Sequence, residues 1–302
     1  MKQPLIQIKL EGFFSGKVVY DLSAKEITTF KTGGCISCVA HPAKEEDLYA
    51  LYRLKRVGIP VKFVGAGSNL LVSDKGFQGV IVVTSDMNIV RDTGSAVECE
   101  PGLSVRGLLR FALEKDLTGF EFLAGIPGTI GGAVWMNAGT RDMGIASVLE
   151  ELTFVDMQGV LRKARREEIP FEYRRSGLEG KAFCITRIFL QRILGDSRKS
   201  RAMIASFMER RYKTQPLNVS SAGSVFKNPS GNFAGELIDS LGFKGMRAGG
   251  AEISKKHANF IVNTGNASSK DIYALITLIQ RKVKEAYGID LELEIELIGD
   301  FE

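Results

Sequence analysis

Histidine, cysteine and tryptophan are scarce in this chain: two, four and one in 302 residues. Four cysteines are too few for a disulfide scaffold of this length. Cys35 and Cys38 form a C-x-x-C pair, but a zinc site needs two more ligands at suitable spacing, and only His41 and His257 are present. The pair reads as two ordinary thiols near a turn, and no metal is expected. No window of about 18 apolar residues occurs, so no membrane insertion is expected. The opening MKQPLIQIKLEGFF has no apolar run of signal-peptide length, and a cytoplasmic chain is the expectation. Internal repeats and low-complexity tracts are missing as well. Forty Lys and Arg against 35 Asp and Glu leave only +5. Without a strong basic tract, this argues against a nucleic-acid binder. So modest a surplus fits an anionic small molecule equally well.

What the chain does have is glycine, 33 of them, clustered at 65 to 67, 125 to 139, 223 to 250 and 265. Such clusters mark places where backbone approaches something closely. With 44% apolar and 25% charged residues, the length suits two domains better than one. Short strands are expected at 61 to 64, 79 to 84, 96 to 102, 151 to 159 and 181 to 190. Ser104 is placed to cap a helix that carries Val105, Leu108, Leu109 and Ala112 on one face. Residues 123 to 139 hold too many glycines for a regular helix. The polar stretch GDSRKSR at 195 to 201 precedes a helix with Met203, Ile204, Phe207 and Met208 at helical spacing, which read as core. Ser268 and Asp271 form a capping box, followed by an apolar stripe of Ile272, Leu275, Ile276, Ile279 and Val283 that Gly288 ends. In LELEIELI, 291 to 298, the alternation sets Leu291, Leu293, Ile295 and Leu297 on one face of a last strand and Glu292, Glu294 and Glu296 on the other. That acidic face is either solvated or supplies one carboxyl group to a pocket.

Gly65-Ala66-Gly67-Ser68-Asn69-Leu70 begins like a dinucleotide fingerprint, but the third glycine is replaced by Leu70 and no amphipathic helix follows, which rejects a nicotinamide-type Rossmann domain. The loop is either a plain tight turn or an anion nest of backbone N–H groups, with Ser68 and Asn69 as side-chain donors. In IPGTIGGAVWMNAG, Pro127-Gly128 sets a rigid turn. Gly131, Gly132 and Ala133 offer a bare surface to a ring or a phosphate. Two such loops about 60 residues apart suggest one extended cofactor held at two places. No Walker lysine pattern is present.

An ordered set of motifs carries a resemblance over nearly the whole chain. It runs KTGG at 31 to 34, VGAGSNLLVSD at 64 to 74, GFEFLAGIPGTIGGAVWMNAG at 119 to 139 and FEYRRSGL at 171 to 178. It continues with AGSVFKNP at 222 to 229, KGMRAGGAEISKKHANFIVN at 244 to 263 and GIDLELEIELIG at 288 to 299. This set resembles the UDP-N-acetylenolpyruvoylglucosamine reductase family of peptidoglycan synthesis, a step in cell-wall biogenesis and so in cell shape and division. The resemblance implies an α+β chain: a two-part FAD-binding domain of the vanillyl-alcohol-oxidase type and a C-terminal α/β substrate-binding domain. The expected boundaries are an N-terminal segment 1–30, an FAD domain 31–196 with parts at about 31–85 and 86–196, and a substrate domain 197–302. The last strand, 291–298, is expected to return toward the flavin.

By the same resemblance, FAD binds non-covalently and NADPH is the reductant. Thr32, Gly33, Gly34, Gly65, Ala66, Gly67, Ser68, Asn69, Leu70, Gly125, Ile126, Pro127, Gly128, Thr129, Gly131 and Gly132 would surround the FAD. The substrate would be UDP-N-acetylglucosamine enolpyruvate, whose vinyl carbon takes hydride while negative charge develops beside its carboxylate. Arg174 in Tyr173-Arg174-Arg175-Ser176 matches the carboxylate-binding arginine, and a guanidinium suits that role because it offers a fixed fork. Arg175 reads as a surface residue. Ser224 matches the proton donor and Glu294 the acid at the substrate carboxylate. Tyr173, Ser176, Lys213, Lys227 and Asn228 match substrate contacts. A monomer is expected. Glu296 stands where family members often have arginine, and the short interval from Arg174 to Ser224 matches the subtype without a tyrosine-bearing substrate loop. His41 is not expected to tether the flavin. A nucleophilic Ser224 is disfavoured because no G-x-S-x-G surrounds it. Two rival readings are a related flavin oxidase and a silent nucleotide-binding module.

Overall fold

A computed structural model describes residues 10, 12–140 and 143–301; residues 1–9 and 11 of the expected N-terminal segment lie outside the described residues. The chain forms two compact units. The first holds the described residues up to Tyr20, then Cys38–Ala66 and Gly79–Arg210; the second holds Asp21–Ser37, Gly67–Gln78 and the chain from Arg211 onward. The sequence reading puts its boundary at 196/197; the structural grouping changes at 210/211 and assigns two early segments to the second unit.

A four-stranded sheet takes the order β1 (Lys17–Ser23), β2 (Cys35–His41), β5 (Phe77–Val83), β3 (Val61–Val64), with β3 parallel to β5. The unit boundaries at 20/21, 37/38 and 78/79 fall inside β1, β2 and β5. In the first unit, helix α1 (Glu45–Arg56) buries Leu48, Leu51 and Leu54 in a cluster with Val80, Val82 and Phe183. A five-stranded antiparallel sheet runs β10 (Leu161–Arg165), β9 (Leu149–Asp156), β11 (Ala182–Gln191), β7 (Ala96–Cys99), β6 (Val90–Asp92). Its core face joins α2 (Val105–Glu114), where Ser104 Oγ accepts the Gly107 N–H, and α3 (Ile130–Trp135). β8 (Leu117–Thr118) pairs with β12 (Ile193–Leu194), and α4 (Ser197–Thr214) follows directly.

In the second unit, β13 (Arg247–Ala248), β14 (Ala251–Ile253) and β15 (Ile261–Asn263) form an antiparallel sheet. Helix α5 (Ala234–Ser240) and the long α6 (Ser269–Tyr287) share one core with it. The capping box of α6 is present: Ser268 Oγ accepts the Asp271 N–H while Asp271 accepts the Ser268 N–H, and Gly288 closes the helix at φ 70°. Its five-residue apolar stripe is buried throughout. β4 (Leu70–Val72) pairs in parallel with β16 (Glu296–Ile298). Among the described residues, no helix is long and apolar enough to cross a membrane.

Three expectations need correction. The tail 291–298 is not one strand: only Glu296–Ile298 is, and Leu293 forms an isolated bridge to Phe226. The segment exchanges one partner for another at 293–296, which breaks the alternation. The glycine-rich 123–139 does contain a helix, the six residues of α3, because Thr129 Oγ1 accepts the Gly132 N–H and starts it. Finally, α4 begins within GDSRKSR, and only part of its stripe reaches the core: Phe207 packs against the first unit's apolar cluster. Met203 is exposed, Ile204, Phe207 and Met208 are partly exposed, and Ser200 is the one buried residue of the helix.

Candidate functional site

The candidate residues divide between the units, and each group is coherent by itself. In the first unit lie Gly65, Ala66, the 125–132 loop and Tyr173–Ser176; in the second lie Thr32–Gly34, Gly67–Leu70, Lys213, Ser224, Lys227, Asn228 and Glu294.

The two glycine loops of the first unit touch. A Cβ on Gly65 would sit 2.3 Å from Thr129 Oγ1, so only a bare Cα lets the end of β3 pass the N-terminus of α3. The 125–132 loop docks on the preceding turn through Val105 N to Gly128 O (3.0 Å), Ile130 N to Leu103 O (2.7 Å) and Gly131 N to Pro101 O (2.8 Å). This corrects the reading of Gly131 as open surface: its Cα faces Pro101, where a Cβ would meet Pro101 atoms at 2.8 Å. Gly132 would meet only Thr129 Oγ1, at 3.5 Å, and Pro127 is exposed. Behind this loop Glu121 is buried, accepting from Ser200 Oγ (2.5 Å), Thr118 Oγ1 (2.7 Å) and the Gly119 N–H (2.9 Å). Burial alone would push its pKa up; the hydrogen bonds from Ser200, Thr118 and the backbone outweigh it and hold the carboxyl below the usual range.

Tyr173 and Arg174 form the tip of a tight turn closed by Glu172 N to Arg175 O (2.9 Å) and Arg175 N to Glu172 O (3.2 Å). Arg174 has φ 54°, a left-handed conformation uncommon for a side chain of this size. Its Nη2 donates to Gly139 O at 3.3 Å, and its guanidinium stacks 5.0 Å from the Tyr173 ring centroid. Asn137 steadies the turn by donating to Glu172 O at 2.9 Å. Ser176 is fully buried and accepts the Leu178 N–H. Arg175 is exposed and faces Glu172 and Glu179, as a surface residue would.

In the second unit the main chain stitches three motifs together. Glu294 N donates to Val225 O at 2.8 Å, next to Ser224, and Lys227 N donates to Glu292 O at 2.9 Å. On its other side Glu294 O accepts from Asn69 Nδ2 at 2.9 Å, and Glu296 N donates to Asn69 O at 2.9 Å. Val225, the neighbour of Ser224, is therefore tied through Glu294 to Asn69, 225 residues before Glu294 in sequence. Thr29 N holds Gly67 O at 3.0 Å. Thr32 is 1% exposed, with its hydroxyl 3.1 Å from Ser269 Oγ, which also donates to Val72 O at 2.6 Å. Gly34 N donates to Ser73 O at 2.9 Å. Lys213 is exposed near the end of α4, and Tyr212 O accepts from Lys256 Nζ. Lys227 pairs with Glu292 at 3.3 Å. Asn228 Oδ1 accepts the Ala234 N–H at 3.0 Å and so caps α5.

Two residues had no role in the sequence reading. Asn259, 4% exposed, accepts the Phe226 N–H at 3.0 Å and donates to Phe226 O at 2.8 Å, while its own carbonyl accepts the Val225 N–H at 2.9 Å. It fixes the backbone just after Ser224. Asp74 accepts the Ser269 and Lys270 N–H groups, both at 2.9 Å, at the start of α6. A groove of about 600 Å³ on the five-stranded sheet, lined by Thr93, Glu151, Arg165 and Phe189 among others, holds none of the candidate residues. Cys38 is buried, which pushes its thiol up to about 12, and Cys35 is raised by desolvation and by Asp21. Neither is an activated thiolate. Among the described residues no cluster of three His, Cys, Asp or Glu could hold a metal.

The touching loops and bare Gly132 fit a flavin dinucleotide, whose phosphates need backbone at close range. The comparisons agree. The model of an FAD-binding domain matches residues 36–165, and that of the UDP-N-acetylenolpyruvoylglucosamine reductase C-terminal domain matches 215–298. The reductase of that name from Caldanaerobacter subterraneus subsp. tengcongensis is 38% identical over 99% of this chain and 100% of its own. That from Caldicellulosiruptor saccharolyticus is 42% identical over 93% and 92%. A crystal structure of the reductase from Thermus caldophilus superposes with a TM-score of 0.80 at 35% identity, covering 95% of this chain and 100% of that one.

Proposed function

The chain belongs to the UDP-N-acetylenolpyruvoylglucosamine reductase family, FAD-dependent oxidoreductases of peptidoglycan synthesis, and from that premise we propose how its residues divide the reaction. NADPH is the reductant, and UDP-N-acetylglucosamine enolpyruvate is the oxidant that becomes UDP-N-acetylmuramate. When bound there, FAD would supply hydride transfer, accepting hydride from the nicotinamide and passing it from N5 to the vinyl methylene carbon. Gly65, Ala66, Gly125, Ile126, Pro127, Gly128, Thr129 and Gly132 hold the cofactor through main-chain groups, together with Thr32–Gly34 and Gly67–Leu70.

Arg174 receives the substrate carboxylate. Its guanidinium offers a fixed fork to two carboxylate oxygens and is oriented by Gly139 O and the Tyr173 ring. Hydride addition leaves negative charge on the adjacent carbon and its carboxylate, and stabilising it is the task of Arg174 and of Glu294 in its protonated form. Ser224 Oγ then gives its proton to that carbon. Serine is a weak acid, so this transfer is feasible only to a strongly basic centre. Lys213, Lys227, Asn228 and Tyr173 are assigned to the substrate, and Ser176, buried behind the turn, to that site through the support it gives Tyr173 and Arg174. The stretch from Arg174 to Ser224 is filled by β11, β12 and α4, which fits the shorter subtype.

The observation that carries this reading is the hydrogen-bonded strip that ties Val225, beside Ser224, through Glu294 to Asn69. The test is anaerobic stopped-flow on Ser224→Ala. Flavin reduction by NADPH should stay within about twofold of wild type, while reoxidation by the enolpyruvyl sugar slows by a factor on the order of 10² to 10⁴, the usual share of general acid catalysis. Equal loss in both halves would make Ser224 a structural residue.

A further inference from the structure

The positive surplus of this protein is concentrated in one helix. Six of the forty basic side chains and one of the thirty-five acidic ones lie in α4, Ser197–Thr214, giving its 18 residues +5; the rest of the chain holds 34 of each sign. The helix is turned outward. Only Ser200 is buried, anchored to Glu121, and Arg198, Lys199, Arg201, Arg210 and Lys213 are all exposed. Arg198, Lys199 and Arg201 form no ion pair among the described residues.

The placement of those three runs against local preference. They occupy the first turns of a helix, whose unpaired N–H groups already carry partial positive charge. Asp196 just before it accepts the Arg198 N–H at 2.9 Å, but no acidic residue lies in the turn itself, so the three cations outnumber that one carboxylate. Intrinsic helix stability would favour Asp or Glu there. A local rule broken without a local gain points to function. About 18 residues of α-helix span about 27 Å, so basic groups at both ends make an extended field rather than a contact for one phosphate. A field of that kind raises the local concentration of anions and their rate of approach.

We propose that α4 is an electrostatic collector for nucleotide diphosphates, with Arg198, Lys199 and Arg201 acting at a distance. This rests on the reading above, in which both ligands, NADPH and the nucleotide sugar, are polyanions that share one flavin. The three side chains accelerate encounter and leave the chemical step alone.

The test is Arg198→Glu, Lys199→Glu and Arg201→Glu combined, with the Gln triple as a neutral companion. Acidic residues suit a helix N-terminus, so the first variant should keep its helix. Flavin content and kcat should match wild type. At about 20 mM ionic strength kcat/KM for both ligands should fall about tenfold in the Glu triple and less in the Gln triple. The curves should converge near 0.5 M salt, where charges beyond a few ångströms are screened. A variant that overlays wild type at every salt overturns the proposal. So does a loss that persists at high salt, which would mean direct contact. Salt-dependent binding of wild type to anionic phospholipid vesicles, lost in the variant with kcat/KM unmoved, would assign the charge to a surface instead. If wild type turns over neither ligand, the functional reading itself fails and steering of these ligands fails with it.

Discussion

His257 Nδ1 accepts the Asn259 N–H at 3.3 Å, which it can do only while that nitrogen is unprotonated. Burial pushes its pKa below the ordinary 6.5, and the Lys244 ammonium adds to this against Asp239. A folded pKa below the unfolded one gives stability that is present above about 6.5 and lost as pH falls toward the depressed value. Melting temperatures of wild type and His257→Asn should therefore differ most near pH 8 and approach each other by pH 5. A constant gap would detach His257 from this titration. Because Asn259 fixes Val225 and Phe226, reoxidation of the flavin by substrate should weaken over the same pH range. Ser224 could be singled out because its loop carries a recognisable motif. Asn259 sits in another quoted motif, yet its role could not be read: its partner is 33 residues away, and the pairing exists only once both segments are packed.

Helix caps were legible because they are local. Ser104 with Gly107 and Ser268 with Asp271 bond three residues along, and both appear as expected. The second cap of α6 was not, since Asp74 reaches Ser269 and Lys270 across 195 residues or more. Ser268→Ala should cost about 1 kcal/mol, the usual worth of an N-cap. Asp74→Ala strands two N–H groups and should cost more, about 2 kcal/mol. Urea titrations can check both, and equal losses would show that solvent replaces the Asp74 carboxylate. LELEIELI misled for a related reason. Alternation reports which faces are apolar, but a strand lasts only as long as its partner, and β4 is three residues long.

For the molecule as a whole, the motifs were enough to identify the family, and composition was enough to dismiss a strongly basic tract. Neither showed that +5 is the charge of one helix, because its six basic residues fall in two groups of three, 198–201 and 210–213, each too short to read as a basic tract. The grouping of 21–37 and 67–78 with the C-terminal part was equally hidden, since it depends on long-range contacts. The pairing of β4 with β16 bears on biosynthesis. The ribosome makes residues 70–72 some 225 residues before their partner. At the usual 5 to 20 residues per second that is a wait of roughly 10 to 45 s. During it, the loop through Asn69 has neither Glu294 nor Glu296 to hold it. Nascent chains stalled before residue 290 should retain little FAD in pull-down, whereas released full-length chains should retain it. Equal retention would mean that the cofactor loads before this segment is in place. A ribosome that stops before residue 290 should therefore yield an apoprotein, because the segment that pairs with β4 has not yet been made.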